Sequence, residues 1–157
     1  AVHIGTASCF IAGTPVWTLR GKLPIETLQI GDRVLSQDVE TGELAYKLVL
    51  QTTLRPPGDL TRVSVEGEQI TTTKGHPFWV ARRGWRMSTL VEAEDRLHTM
   101  SGLLPVKSVQ DLGLAEPAHN LVVADFATYF VGDCGILVHD NTYREPTQAL
   151  VPGLLPD

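Results

Sequence analysis

Ser8-Cys9-Phe10-Ile11-Ala12-Gly13-Thr14-Pro15-Val16 sets a lone thiol ahead of a turn and an apolar run. By itself the stretch reads equally as a small buried hydrophobe, the commonest fate of an isolated cysteine. Its neighbours argue for more. Ser8 and Thr6 are polar, and Gly13-Thr14-Pro15 bends the chain. The nearest electrophile for the Cys9 thiol is the carbonyl of Ser8, one bond upstream. Attack there converts an amide to a thioester. That is uphill in a relaxed peptide, so the fold must distort the bond and stabilise the oxyanion. The far end, Ile136-Leu137-Val138-His139-Asp140-Asn141-Thr142, carries the other candidate chemistry.

The chain has 157 residues, enough for one domain with one core. An apolar fraction of 43% with 20% charged residues is globular rather than disordered. A net charge of −5 leaves no basic footprint, so nucleic acid is not an expected partner. Arg82, Arg83, Arg86 and Lys74 gather around Trp85 and read as a solvated turn. No apolar run approaches the ~20 residues needed to cross a bilayer, so no membrane is expected either. No signal peptide is visible, and the compartment is unreadable from this stretch of chain. Two cysteines, Cys9 and Cys134, do not make a disulfide scaffold. A Cys9–Cys134 bond requires that the two ends meet, and it would mask the thiol.

Turn signals divide the chain into short strands. Pro15–Leu19 closes at Arg20-Gly21-Lys22, and Leu23–Leu28 reads as a compact turn. Thr41-Gly42-Glu43 marks a hairpin, and Tyr46–Thr53 is expected to end at Arg55-Pro56-Pro57-Gly58-Asp59. Leu60–Val65 alternates, Gln69–Thr73 is β-branched, and Phe78-Trp79-Val80 continues after His76-Pro77. Leu90–Leu97 is the one expected helical turn. Arg96–Met100, Pro105–Gln110, Asn120–Ala124, Thr128–Val131 and Ile136–His139 complete an all-β pattern. Pro146, Pro152, Gly153 and Pro156 mark a tail of different character.

Three groups of residues can carry chemistry. Cys9 is the nucleophile candidate. His76 lies between Gly75 and Pro77, with Thr73 three residues upstream. The imidazole can donate to a departing amide nitrogen, and the threonine hydroxyl can polarise the same peptide. Read otherwise, His76 is an ordinary turn histidine. At the far end, the Asn141 amide can attack its own carbonyl to form a succinimide, with His139 assisting and Thr142 supplying a hydroxyl beyond the bond. Read otherwise, this is a strand end. His3, Cys9, His76, His98, His119, Cys134 and His139 show no paired ligand spacing, so neither metal nor cofactor is expected.

Cys9–Val16 resembles the opening block of Hint domains, the fold shared by inteins, bacterial intein-like domains and hedgehog autoprocessing domains. Lys22–Val34 resembles the next block, and Thr73-Lys74-Gly75-His76 the Thr-x-x-His block. Gly84-Trp85 and Glu94–Leu97 follow in family order. Thr128–Gly132 and Gly135–His139 resemble the closing block. The resemblance is strongest to the bacterial intein-like and toxin-associated members. The span from Cys9 to Asn141 leaves no room for an inserted homing endonuclease.

The resemblance implies an all-β horseshoe whose two ends meet at the active centre. It implies an N–S acyl shift at Ser8–Cys9 and splicing or self-cleavage at Asn141–Thr142, each chain reacting once. The roles implied are Cys9 as nucleophile, Thr73 and His76 as activators, His139 as C-terminal assistant, Asn141 as the cyclising residue and Thr142 as acceptor. The expected layout is a flanking arm over 1–8, the autoprocessing domain over 9–141 and a flanking tail over 142–157. The substrate is the domain's own flanking polypeptide, and a monomer is expected.

Two internal departures from the family pattern are Ala127, where a histidine is usual, and Asn120, where many members carry aspartate. At the end, the usual His-Asn pair reads His139-Asp140-Asn141. If Asp140 holds the asparagine place, only N-terminal cleavage is expected, because a carboxylate lacks the cyclising amide nitrogen. A degenerate structural or binding module, and a cysteine hydrolase acting in trans, are the readings from other classes.

Overall fold

The computed structural model describes residues 9–142. The arm over 1–8, including Ser8, and residues 143–157 of the tail lie outside the described residues. Among those described, the architecture is β throughout, with two single-turn 3₁₀ segments at Ile25–Thr27 and Ser88–Leu90.

Two long strands, β5 (Leu44–Val65) and β10 (Gly102–Val123), form the spine. They pair antiparallel along most of their length, from Val106↔Val65 to Val123↔Val49. Bulges interrupt the register between Asp111 and Ala115 and between Glu116 and Ala118. Each bulge adds twist and bends the ribbon, so the ends of each strand serve different neighbours. The start of β5 pairs β4 (Arg33–Gln37), and its end pairs β6 (Glu68–Thr73). The start of β10 pairs β9 (Arg96–Thr99), and its end pairs β1 (Phe10–Ile11).

The remaining strands form shorter pairs. β2 (Pro15–Thr18) pairs β3 (Gly21–Pro24), and β7 (Pro77–Val80) pairs β8 (Gly84–Met87). β11 (Thr128–Val131) forms a hairpin with β12 (Ile136–His139), in the register Thr128↔His139 to Val131↔Ile136. β7, β11 and β12 are buried at every position, as strands covered on both faces must be. Phe10, Val16, Phe78, Leu97, Tyr129 and Val138 anchor the main core, and Trp79, Trp85 and Phe130 a second cluster.

Three expectations are corrected. Arg55-Pro56-Pro57-Gly58-Asp59 does not end a strand; β5 runs through it. The two prolines fall where the β10 register slips between Glu116 and Ala118, and a bulge tolerates a residue without N–H. Pro105–Gln110 and Asn120–Ala124 belong to one strand, β10. Leu90–Leu97 is not helical. The 3₁₀ turn ends at Leu90, Glu94 takes a left-handed φ of 76°, and β9 begins at Arg96. The Thr41-Gly42 hairpin forms as expected, with Gln37↔Leu44 closing β4 on β5.

Candidate active site

Two residues around the turn after β6 engage Cys9 and His139. Thr73, the last residue of β6, accepts a hydrogen bond on Oγ1 from the Cys9 backbone N–H at 2.8 Å. That nitrogen belongs to the Ser8–Cys9 peptide. The Cys9 carbonyl accepts from the Thr73 N–H and from Thr72 Oγ1, both at 2.8 Å. Three residues on, His76 Nε2 contacts the His139 carbonyl at 2.9 Å. A carbonyl only accepts, so Nε2 carries the proton and Nδ1 presents a lone pair. His76 Nδ1 is buried without a hydrogen-bond partner among the described residues.

The loop is held from below. Ser88 Oγ donates to the Thr73 and Lys74 carbonyls at 3.1 and 2.7 Å, and the Ser88 N–H donates to the His76 carbonyl. Phe10 lies 4.0 Å from the His76 ring, centroid to centroid, and Trp85 packs edge-on against His139 at 5.0 Å. These contacts fix ring orientation in a buried site.

Burial sets the electrostatics. Cys9 is fully buried, and its thiol is pushed up to about 12, opposed by the positive charge of Arg55. The His76 imidazole is pushed down to about 3 by burial, partly offset by its bond to His139. It is therefore neutral at ordinary pH, an acceptor rather than a charged donor. Tyr129 is raised by burial and by the charges of Cys9 and Asp140, so its phenol lies within the field of both chain ends. Its hydroxyl donates to Asn120 Oδ1 at 2.6 Å.

At the C-terminal side, His139 Nδ1 contacts the carbonyl of Asp140 at 2.9 Å, not that of Asn141. Asp140 is fully buried. Its Oδ2 accepts from the Val123 N–H at 2.7 Å, and its Oδ1 accepts from the Thr142 N–H at 2.8 Å and the Thr142 hydroxyl at 2.5 Å. Asn141 is half-buried; its Nδ2 faces Thr53 Oγ1 at 3.4 Å, and its Oδ1 has no partner among the described residues. Its backbone N–H donates to Leu121, while the Asp140 N–H donates to Ala127. Ala127, which departs from the histidine usual in the family pattern, takes a left-handed φ of 56°.

Cys9, Thr73, His76, His139 and Asp140 thus share one site, with Asn141 and Thr142 on its rim. Sequence reasoning missed Arg55, Tyr129, Ser88 and Thr72. Arg55 sits inside a long strand beside two prolines and gives no local signal. Cys134 stands apart, its N–H held by Glu68 Oε1 at 3.0 Å, and both cysteines are free thiols. Among the described residues no group of three or more His, Cys, Asp and Glu could hold a metal, and no helix is long and apolar enough to cross a membrane.

Comparison with known proteins gives a consistent answer. A model of the pretoxin HINT domain family matches residues 16–141. A bacterial intein-like domain from Clostridium thermocellum is 36% identical, with a TM-score of 0.78, over 84% of this chain and 98% of that one. The gp41-1 intein is 19% identical, with a TM-score of 0.72, over 86% and 100%. A DnaB intein from Synechocystis sp. PCC 6803 is 15% identical, with a TM-score of 0.76, over 85% and 98%. The last two likenesses concern the fold alone. A search of curated proteins found no match. With the family model spanning most of the chain and the horseshoe closing its ends on one site, the protein belongs to the pretoxin HINT domain family.

Proposed function

We propose that this domain cleaves its own chain at Ser8–Cys9 by an N–S acyl shift. Family membership supports autocatalytic processing in general. The observation that carries the N-terminal step is the Thr73 Oγ1 contact with the Cys9 N–H, three residues before a His76 whose Nδ1 has no partner among the described residues. The Cys9 sulfur bonds to the Ser8 carbonyl carbon while the thiol proton passes to His76 Nδ1. As the C–N bond breaks, the same proton moves to the departing Cys9 nitrogen, which Thr73 steadies. Water or a thiol then takes the acyl group. Each chain reacts once, on its own flanking polypeptide, and no partner copy is needed.

On the C-terminal side the reading is a break at Asn141–Thr142, with Asn141 supplying the amide able to cyclise and Thr142 able to accept the acyl group in splicing. Cyclisation there requires the Asn141 amide to leave Thr53. A second reading, cleavage at Ser8–Cys9 alone, is favoured by one observation: His139 Nδ1 faces the carbonyl of Asp140, the residue without a cyclising nitrogen. The chain carried between two tags, incubated with reductant and weighed, separates these. N-terminal cleavage abolished by Cys9→Ala is expected. A precursor that stays intact overturns the self-processing reading.

A further inference from the structure

The Asp140 carboxylate is engaged in a way that cyclisation does not use. Its Oδ1 accepts two hydrogen bonds from one residue, from Thr142 Oγ1 at 2.5 Å and from the Thr142 N–H at 2.8 Å. The hydroxyl contact lies at the short end for an O–H···O⁻ pair, the charge-assisted kind. The other oxygen is pinned by the Val123 N–H at 2.7 Å, so the carboxylate cannot rotate without orphaning a buried donor. The carboxylate is fully buried, while Thr142 is half-buried and open to water on its other side. One fixed oxygen therefore touches both the hydroxyl that could attack the Asn141 carbonyl and the nitrogen that would leave it.

We propose that Asp140 is the general base for an N–O acyl shift at Thr142, breaking the Asn141–Thr142 peptide without cyclisation of Asn141. The Thr142 hydroxyl proton moves to Asp140 Oδ1, and Oγ1 bonds to the Asn141 carbonyl carbon, closing a five-membered ring. The Asn141–Thr142 C–N bond then breaks, and the departing nitrogen takes the proton from the same Oδ1. The product is an ester between Asn141 and the Thr142 side chain. Water hydrolyses it, releasing an upstream piece that ends in an Asn141 carboxylate and a downstream piece that begins at Thr142. The carboxylate is regenerated, and no other reactant is required. A general base placed in this way contributes about 10²–10⁴-fold.

This inference rests on the reading that the chain processes itself, and the test reads the two ends separately. The full chain is incubated at neutral pH with and without hydroxylamine, and the fragments are weighed. N-terminal cleavage reports on self-processing; the 141/142 cut reports on Asp140. Hydroxylamine should convert the ester to an Asn141 hydroxamate on the upstream piece, with no imide present in its absence. Thr142→Ser should keep the cut and Thr142→Ala should abolish it, whereas cyclisation of Asn141 needs no hydroxyl at 142. Asp140→Asn preserves the shape and an acceptor oxygen but not the base, and should slow the 141/142 cut at least tenfold. An unchanged far-ultraviolet circular dichroism spectrum and thermal melt in each variant certify the fold. A 141/142 cut that survives Thr142→Ala, or is undiminished in Asp140→Asn, overturns the proposal, as does the absence of any cut there in a chain that cleaves at Ser8–Cys9.

Discussion

The pH dependence of cleavage at Ser8–Cys9 follows from the two groups that burial has pushed apart. The Cys9 thiol stands at about 12 and the His76 imidazole at about 3. Full proton transfer from one to the other, across about nine pH units, costs roughly 12 kcal/mol. No thiolate–imidazolium pair accumulates, so the proton must move as the sulfur attacks. The reacting form is neutral thiol plus neutral imidazole, and that form dominates between the two values. The acyl shift is therefore expected to be nearly independent of pH from roughly 5 to 9. The assay is loss of the upstream segment at a thiol concentration beyond which the rate no longer rises, so that capture is not limiting. His76→Gln removes the base. The reaction should then be slower and should accelerate about tenfold per pH unit, as attack by a free thiolate does. A wild-type rate that climbs tenfold per unit across this range, or that inflects near the ordinary histidine value, would refute the concerted transfer.

Thr73→Val orphans the buried Cys9 N–H, at about 1–3 kcal/mol, and should slow cleavage roughly 5- to 150-fold. Thr73→Ser should restore most of the rate, which a purely steric role would not predict. Acid stability follows from His76 and His98, whose imidazoles burial lowers to about 3 and about 4. Both are lower folded than unfolded, so the unfolded chain binds more protons below the ordinary histidine value of 6.5. Their contribution is present above pH 6.5 and is lost as pH falls through 4 and 3. Chemical denaturation of the Cys9→Ala chain should show a midpoint that drops steadily over that window, and a flat midpoint would contradict the burial of the two rings. Gly132→Ala should destabilise by about 1–3 kcal/mol, because φ is +80° and a Cβ would meet Glu68 Oε1 and Ile70 Cδ1 at 2.8 Å. An unchanged melting curve would count against that packing.

Sequence pattern identified the fold wherever local signals agreed with tertiary packing. The Thr41-Gly42 turn and the β-branched Gln69–Thr73 run formed the expected elements. It failed at Pro56-Pro57, because the partner strand that accommodates the prolines lies about sixty residues away in β10. It failed at Leu90–Leu97, because so short a mixed stretch does not separate a helical turn from a turn followed by a strand. The site was legible to a similar degree. Thr73 and His76 are joined by spacing, and His139 by its block. Arg55 is brought to the site only by the fold, with no motif to mark it; Tyr129 lies in the closing block, but nothing in the block sets it apart from its apolar neighbours. The role of the final residues was least legible, since Asp140 and Asn141 differ in sequence by one position and in structure by what each side chain touches.

The central claim is that Cys9 attacks its own upstream peptide, and its most direct test is interception of the thioester. The intact chain is incubated with an excess of a small thiol and weighed over time. The expected products are the segment ending at Ser8 as its thioester with the added thiol and a chain with a new N-terminus at Cys9, with neither formed in Cys9→Ala. A folded chain that retains residues 1–8 indefinitely under these conditions would contradict it.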